Sequence, residues 1–217
     1  MKKIVLILAL ALSLAACGLR DKRPEEMKAT GGNASSGSPG ATTAGAKSST
    51  PEDTGGEAVE HPAPTAAQTA ALAGGQSVNW DQQGIAWTLP ANWKKQNVET
   101  KNLLYTAGDG AVLIANISTF DDSFPTDLKY TYEGARTRKK DGEIDELRYL
   151  ELDGLRGVQF RESPEKPDDF KRLQWLAYRK FAGQTQLINL MLSTSNKNFA
   201  KHQDEFYAIL YSTKLVH

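Results

Sequence analysis

The aromatic residues are confined to one part of the chain. All four Trp, seven Tyr and seven Phe lie between Trp80 and Tyr211, and the first 79 residues hold none. Burying large apolar side chains is what offsets the entropy of ordering a backbone, so a chain divided in this way can build a core only in its C-terminal part. Residues 77–217 number 141, enough for one globular domain, and their 19 basic residues balance 19 acidic ones. The single Cys, Cys17, lies outside that stretch, which excludes a disulfide framework and a Cys-based structural zinc site. Lys plus Arg total 26 in the whole chain and so do Asp plus Glu. Zero net charge argues against a general nucleic-acid binder, which needs a basic surface to displace counterions from phosphates.

The front of the chain carries an address. Lys2 and Lys3 precede a 13-residue apolar run, Ile4 to Ala16. That run is shorter than the roughly 20 residues a membrane-spanning helix needs, and it suits the apolar region of a signal peptide. It ends in Leu14-Ala15-Ala16-Cys17, which resembles the bacterial lipobox. The resemblance implies a signal peptide over 1–16, cleavage after Ala16, a diacylglyceryl group on the Cys17 sulfur and acylation (palmitate or a similar chain) of the new amine. Gly18 follows, rather than the Asp associated with inner-membrane retention, so the resemblance implies the periplasmic face of the outer membrane. Two or three acyl chains anchor a protein far more firmly than one.

Residues 17–76 read as a disordered, lipid-anchored tether. Of the 48 residues from Ala29 to Gln76, 37 are Gly, Ala, Ser, Thr or Pro, and the only large aliphatics are Val59 and Leu72. A coil of about 60 such residues spans roughly 45 Å on average. The charges near its start, Arg20 to Arg23 with Glu25 and Glu26, mix signs and do not form a lipid-binding cluster.

Within 77–217, strand patterns dominate. Ile85, Trp87 and Leu89 alternate up to Pro90, and Leu103–Ala107 and Ala111–Ser118 flank Gly108-Asp109-Gly110. Pro125 to Lys140 is the first helix candidate, with Ser123 or Asp122 as cap and Leu128, Tyr132 and Ala135 on its inner face. Leu147–Leu152 and Leu155–Arg161 are joined by Asp153-Gly154, a pair suited to a type I′ turn. A two-residue turn fixes the register, setting Leu152 against Leu155, Glu151 against Arg156, Tyr149 against Val158 and Leu147 against Phe160. Two further strands around Gly183 and a helix from Asn198 to Tyr211 complete the domain. The expected fold is α+β: an antiparallel sheet of about six or seven strands covered by two main helices.

Leu89-Pro-Ala-Asn-Trp93, the central helix, the segment Leu150 to Gly157 and the closing Phe206 to Ser212 together resemble the PsbP-like family. That family includes extrinsic photosystem subunits, a small nuclear-import accessory factor and bacterial DcrB-like lipoproteins. The resemblance covers about residues 78–213. It implies an α/β/α sandwich and a non-catalytic accessory or assembly role, and it carries no functional residue over to this chain.

Candidate chemistry is sparse. His202 and His217 are the only histidines in the domain; His202 reads as lying on the polar side of the last helix and His217 as a frayed end. No G-x-S-x-G, H-E-x-x-H, Walker or G-x-G-x-x-G pattern occurs, and the acidic groups lack calcium-loop spacing, so neither an enzyme nor a metal or other cofactor is expected. Two features remain as candidate partner contacts. One is the basic group Arg136, Arg138, Lys139 and Lys140, which could meet anionic lipid or a wall polymer and which also complements a helix C-terminus. The other is Trp80 and Trp93, which flank turns. The first expectation is therefore an envelope lipoprotein whose domain docks on another envelope protein. The second is a carrier that binds a lipid or small apolar ligand in a groove between sheet and helix.

Overall fold

A computed structural model describes residues 56–216. The chain first forms β1 (Val59–Glu60) and α1 (Ala66–Ala71), then β2 (Gln76–Trp80), a 3₁₀ turn (Asp81–Gln83) and β3 (Ile85–Leu89). β4 (Lys94–Val98), β5 (Asn102–Thr106) and β6 (Val112–Phe120) lead to α2 (Leu128–Lys140). β7 (Ile144–Leu152), β8 (Leu155–Glu162), β9 (Phe170–Phe181) and β10 (Gln184–Ser195) follow, then α3 (Asn196–Tyr211) and β11 (Lys214–Leu215).

Eight strands make one sheet in the order β1-β7-β8-β9-β10-β6-β5-β4, and three make a second in the order β11-β3-β2. Every pairing is antiparallel except β1 with β7. The fold class is α+β, as expected, but the strands number more than six or seven and are divided between two sheets. β2, β4 and β11 escaped the sequence reading because Gln76–Trp80 straddles the expected tether boundary, Lys94-Lys-Gln-Asn-Val98 has no apolar alternation and Lys214–Leu215 is too short to show any.

The β7–β8 hairpin has the expected register, with Leu152 opposite Leu155, Tyr149 opposite Val158 and Leu147 opposite Phe160. Asp153 and Gly154 both take positive φ, 47° and 82°, which the type I′ turn requires.

α3 packs on β9 and β10 and also on β3, so its apolar stripe is buried between the two sheets. Phe199, Phe206, Ile209 and Leu210 meet Leu113, Ala115, Trp175, Ile188, Leu190 and Leu192 there. α2 packs on the other face of the large sheet, over β7 and β8. It starts three residues later than expected because Asp127, rather than Asp122 or Ser123, caps it: the Asp127 carboxylate accepts a hydrogen bond from the Lys129 backbone N–H at 2.8 Å. Phe124 stacks on Phe120, with ring centroids 4.0 Å apart, and holds the preceding segment against the sheet instead.

Beneath α2, Tyr132 lies flat on Tyr149 at 4.3 Å, and the Tyr149 hydroxyl is buried with no hydrogen-bond partner. Burial, then the neighbouring Tyr132 and nearby carboxylates, pushes that hydroxyl up to about 12 from its usual 10.0. A raised pKa favours the fold fully below pH 10, and the contribution is lost as pH climbs towards 12. Tyr149→Phe removes the stranded hydroxyl. It is expected to leave stability unchanged or raise it by about 1 kcal/mol at neutral pH, and to flatten the alkaline fall in urea-unfolding free energy. A loss above about 2 kcal/mol at pH 7 would count against this account.

The ordered body begins earlier than the expected boundary at residue 77, so the tether assigned to 17–76 needs correction. Val59 packs into the cluster under α2, and β1 runs parallel along the edge of β7. Glu60 pairs with Arg148 at 2.7 Å. Thr65 and Gln68 form a capping box: each side chain accepts a hydrogen bond from the other's backbone N–H, at 3.2 and 3.0 Å. α1, thus capped, lies against α3. Small residues do not nucleate a core, but they do lie closely on one that already exists. Residues 1–55, with Cys17, fall outside the described residues.

Candidate interaction surfaces

The four tryptophans are core residues, which corrects the assignment of Trp80 and Trp93 to a partner contact. Trp80 is 0% exposed and Trp93 2%. The Trp80 indole N–H donates to the Glu99 carbonyl at 2.7 Å, and that of Trp93 to Glu205 Oε1 at 2.8 Å. With its one polar atom satisfied, an indole is buried without penalty even beside a turn. Trp93 also meets Phe206 edge-on, with ring centroids 6.5 Å apart.

His202 is likewise inside, 4% exposed, rather than on a polar helix face. Its ring stacks on Phe206 at 5.6 Å, with Nε2 3.1 Å from Asp109 Oδ2 and Nδ1 3.7 Å from Glu205 Oε1. Burial raises the Asp109 carboxyl, but the hydrogen bond from Lys201 and the charge of His202 outweigh it and hold the group below the usual value. This chain of contacts ties the β5–β6 turn to α3. The spacing Phe199, His202, Phe206 is the sequence signal that places the imidazole on the apolar stripe.

A second polar group fastens the other end of α3. The Tyr207 hydroxyl donates to Glu146 and accepts from Arg161 at 3.2 Å, while Arg148 donates to the Tyr211 hydroxyl at 2.8 Å and to Gln159. Burial, followed by the Glu146 contact, pushes Tyr207 far above its usual range, so it stays neutral and is no nucleophile. Among the described residues, no three or more His, Cys, Asp or Glu side chains are grouped to hold a metal ion.

The structure separates the basic group on α2. Arg138 turns inward, lies over the Phe160 ring at 5.6 Å and pairs with Glu143 at 2.9 Å and Glu162 at 3.4 Å. It lines an open cleft of about 410 Å³ with Glu143, Glu162, Phe170 and Arg172. Arg136 pairs with Glu133 at 3.3 Å on the outer face. Lys139 and Lys140 are exposed, and neither has a carboxylate partner among the described residues.

A further surface is one that the sequence reading missed. α2 lies over β7 and β8 and reaches Leu176 and Tyr178 of β9, so its side of β10, β6 and β5 has the least helix cover. Leu104, Ile114 and Met191 form one row across these strands, and Asn102, Asn116 and Asn189 form the next. Leu104, Val112, Ile114, Leu187 and Met191 are all half-buried. Phe120, Phe124 and Pro125 wall one end, around a cleft of about 560 Å³. By contrast, the groove expected between sheet and helix for an apolar ligand is filled at α3, where Phe206, Ile209, Leu113 and Leu190 are each at most 1% exposed.

No family model and no curated protein matches the chain. Among the described residues, no helix is long and apolar enough to cross a membrane. The chain is similar to several solved structures. The cyanobacterial PsbP of Synechocystis sp. PCC 6803 is 16% identical with a TM-score of 0.45, over 65% of this chain and 92% of that one. LpqN of Mycobacterium tuberculosis, described as involved in cell envelope biogenesis, is 12% identical with a TM-score of 0.43, over 66% and 86%. The Ran-binding protein Mog1p of Saccharomyces cerevisiae is 13% identical with a TM-score of 0.37, over 65% and 95%.

Proposed function

We propose that this chain is a lipid-anchored protein of the bacterial envelope, facing the periplasm from the outer membrane, whose body is a non-catalytic module for docking another envelope protein. The bare half of the large sheet carries this reading. A face with a row of half-buried aliphatics beside a row of carboxamides combines the apolar centre and polar surround of a protein interface. Leu14-Ala15-Ala16-Cys17 supports the anchor. In this reading Cys17 carries the lipid, and residues from 17 to the ordered strap at Gly56 form the leash.

The experiment places a photoreactive amino acid at position 114 in cells, with position 197 on α3 as control. One discrete adduct is expected from 114 and none from 197. Met191→Arg in the same chain should reduce that adduct about tenfold or more, as loss of an interface centre does. Its unfolding free energy should fall by no more than about 1–2 kcal/mol, since Met191 is half-buried and the stem of the Arg can lie along the same strands. Equal smears from both positions would refute the docking face. Unchanged membrane partitioning of a Cys17→Ser protein would refute the anchor.

A further inference from the structure

We infer that the outer face of α2 is a docking surface for anionic lipid headgroups, which turns the bare half of the sheet towards the bilayer. The inference deepens the lipid-anchored reading above and rests on it. α2 carries five basic residues, Lys129, Arg136, Arg138, Lys139 and Lys140, against the single acid Glu133. The rest of the chain holds 21 basic and 25 acidic residues, so this helix stands out as basic against an acidic remainder.

Helical spacing sorts these residues by direction. Lys129, Glu133, Arg136 and Lys140 stand four, three and four residues apart, so they line one flank of the helix, to one side of the buried Leu128 and Ala135. Arg136 neutralises Glu133, and Arg138 is turned towards Glu143 and Glu162. Lys129, Lys139 and Lys140 remain exposed without a carboxylate partner among the described residues. Next to Lys129, Tyr130 is 74% exposed, ahead of Phe170 at 59% and Phe124 at 38%. Free ammonium groups at both ends of the helix, with an exposed phenol ring next to Lys129, match a bilayer interface, where headgroup charge and an amphipathic ring both find partners.

The path of the chain points the same way. Val59, next to the first described residues, packs into the cluster beneath α2 with Tyr132. The first described residues therefore join the body on the α2 side. The bare rows of β5, β6 and β10 look in the same direction, because Leu176 and Tyr178 under α2 pair with Asn189 and Leu187 of the open face. A partner seated on those rows sits at the membrane surface.

The test uses the mature acylated protein, extracted and mixed with vesicles of phosphatidylcholine alone or of phosphatidylcholine with phosphatidylglycerol. Amine labelling of Lys129, Lys139 and Lys140 is read by mass spectrometry and normalised to Lys197 and Lys201 on α3. Each basic residue at an anionic surface is worth about a fivefold change in affinity, so labelling of the α2 lysines should fall several-fold on the anionic vesicles only and recover in high salt. A Lys139→Glu, Lys140→Glu protein should lose protection at Lys129 on the same vesicles. Equal labelling on both vesicle types, with or without flotation, overturns the inference. Flotation on neutral vesicles reads the anchor separately: a protein that does not float there lacks the lipid, yet protection of its α2 lysines by anionic vesicles still upholds the docking face.

Discussion

Gly157→Ala lowers the unfolding free energy by about 3 kcal/mol, the upper end of the cost of overpacking a dense core. A Cβ at 157 would lie 2.5 Å from both Cε2 and Nε1 of Trp175 and 2.6 Å from the Leu176 carbonyl oxygen. Neither neighbour can yield cheaply. Trp175 is 0% exposed and donates its indole N–H to the Leu150 carbonyl at 3.0 Å, so moving the ring strands two polar groups. Leu176 is part of the β8–β9 pairing. Urea unfolding measures the effect, and the melting temperature should fall by about 8 °C for a domain of this size. In a Trp175→Leu background the same change should cost less, with a coupling of about 1–2 kcal/mol, because the smaller side chain leaves room for the methyl group. A Gly157→Ala protein within about 0.5 kcal/mol of its parent would show that the ring is not held as described.

Trp93→Ala produces the other large effect, a loss of about 4 kcal/mol. The indole fills the space beside Phe206 and links the β3–β4 turn to α3 through Glu205. Trp93→Phe keeps most of the apolar contact but leaves the Glu205 carboxylate without its donor, and should cost about 1–2 kcal/mol. The pair separates two roles. A tryptophan serving as a surface anchor would change stability by no more than about 0.5 kcal/mol on replacement by Ala while weakening a complex. The buried indole seen here does the reverse.

These residues also show how far the sequence can be read. The β7–β8 hairpin was legible to the residue, because a two-residue Asp-Gly turn fixes both geometry and register. The alternation of Ile85, Trp87 and Leu89 was legible from period alone, whereas on α3 the polar imidazole of His202 hid its place on the buried stripe. Proximity to a turn misled the placing of Trp80 and Trp93, since exposure depends on what arrives from elsewhere in the chain: the Glu99 carbonyl meets the first and Glu205 of α3 the second. α1 and β1 were hidden for a related reason. Their alanines and single valine carry too little apolar surface to specify an element, and the surfaces that order them, α3 and the edge of β7, lie more than 80 residues downstream. The bare sheet face was illegible because strand period shows that a face exists, whereas its covering depends on where the helices land. The basic cluster was visible as a cluster, but only the fold shows that Arg138 leaves it and that Lys129 and Tyr130 join it.

The large sheet ends on one side in β1, two residues long, and on the other in β4, which bears Lys94 and Lys95 and loses register between Lys95 and Asn97. Unpaired strand margins are templates along which identical molecules zip into fibres. A copy lacking β1 would offer nine residues of β7 as such a template, and the strap bearing Val59 and Glu60 interrupts it at Tyr149 and Leu150. That interruption matters most where copies are crowded into two dimensions and meet with their margins level, as molecules fastened to a common sheet of lipid would be.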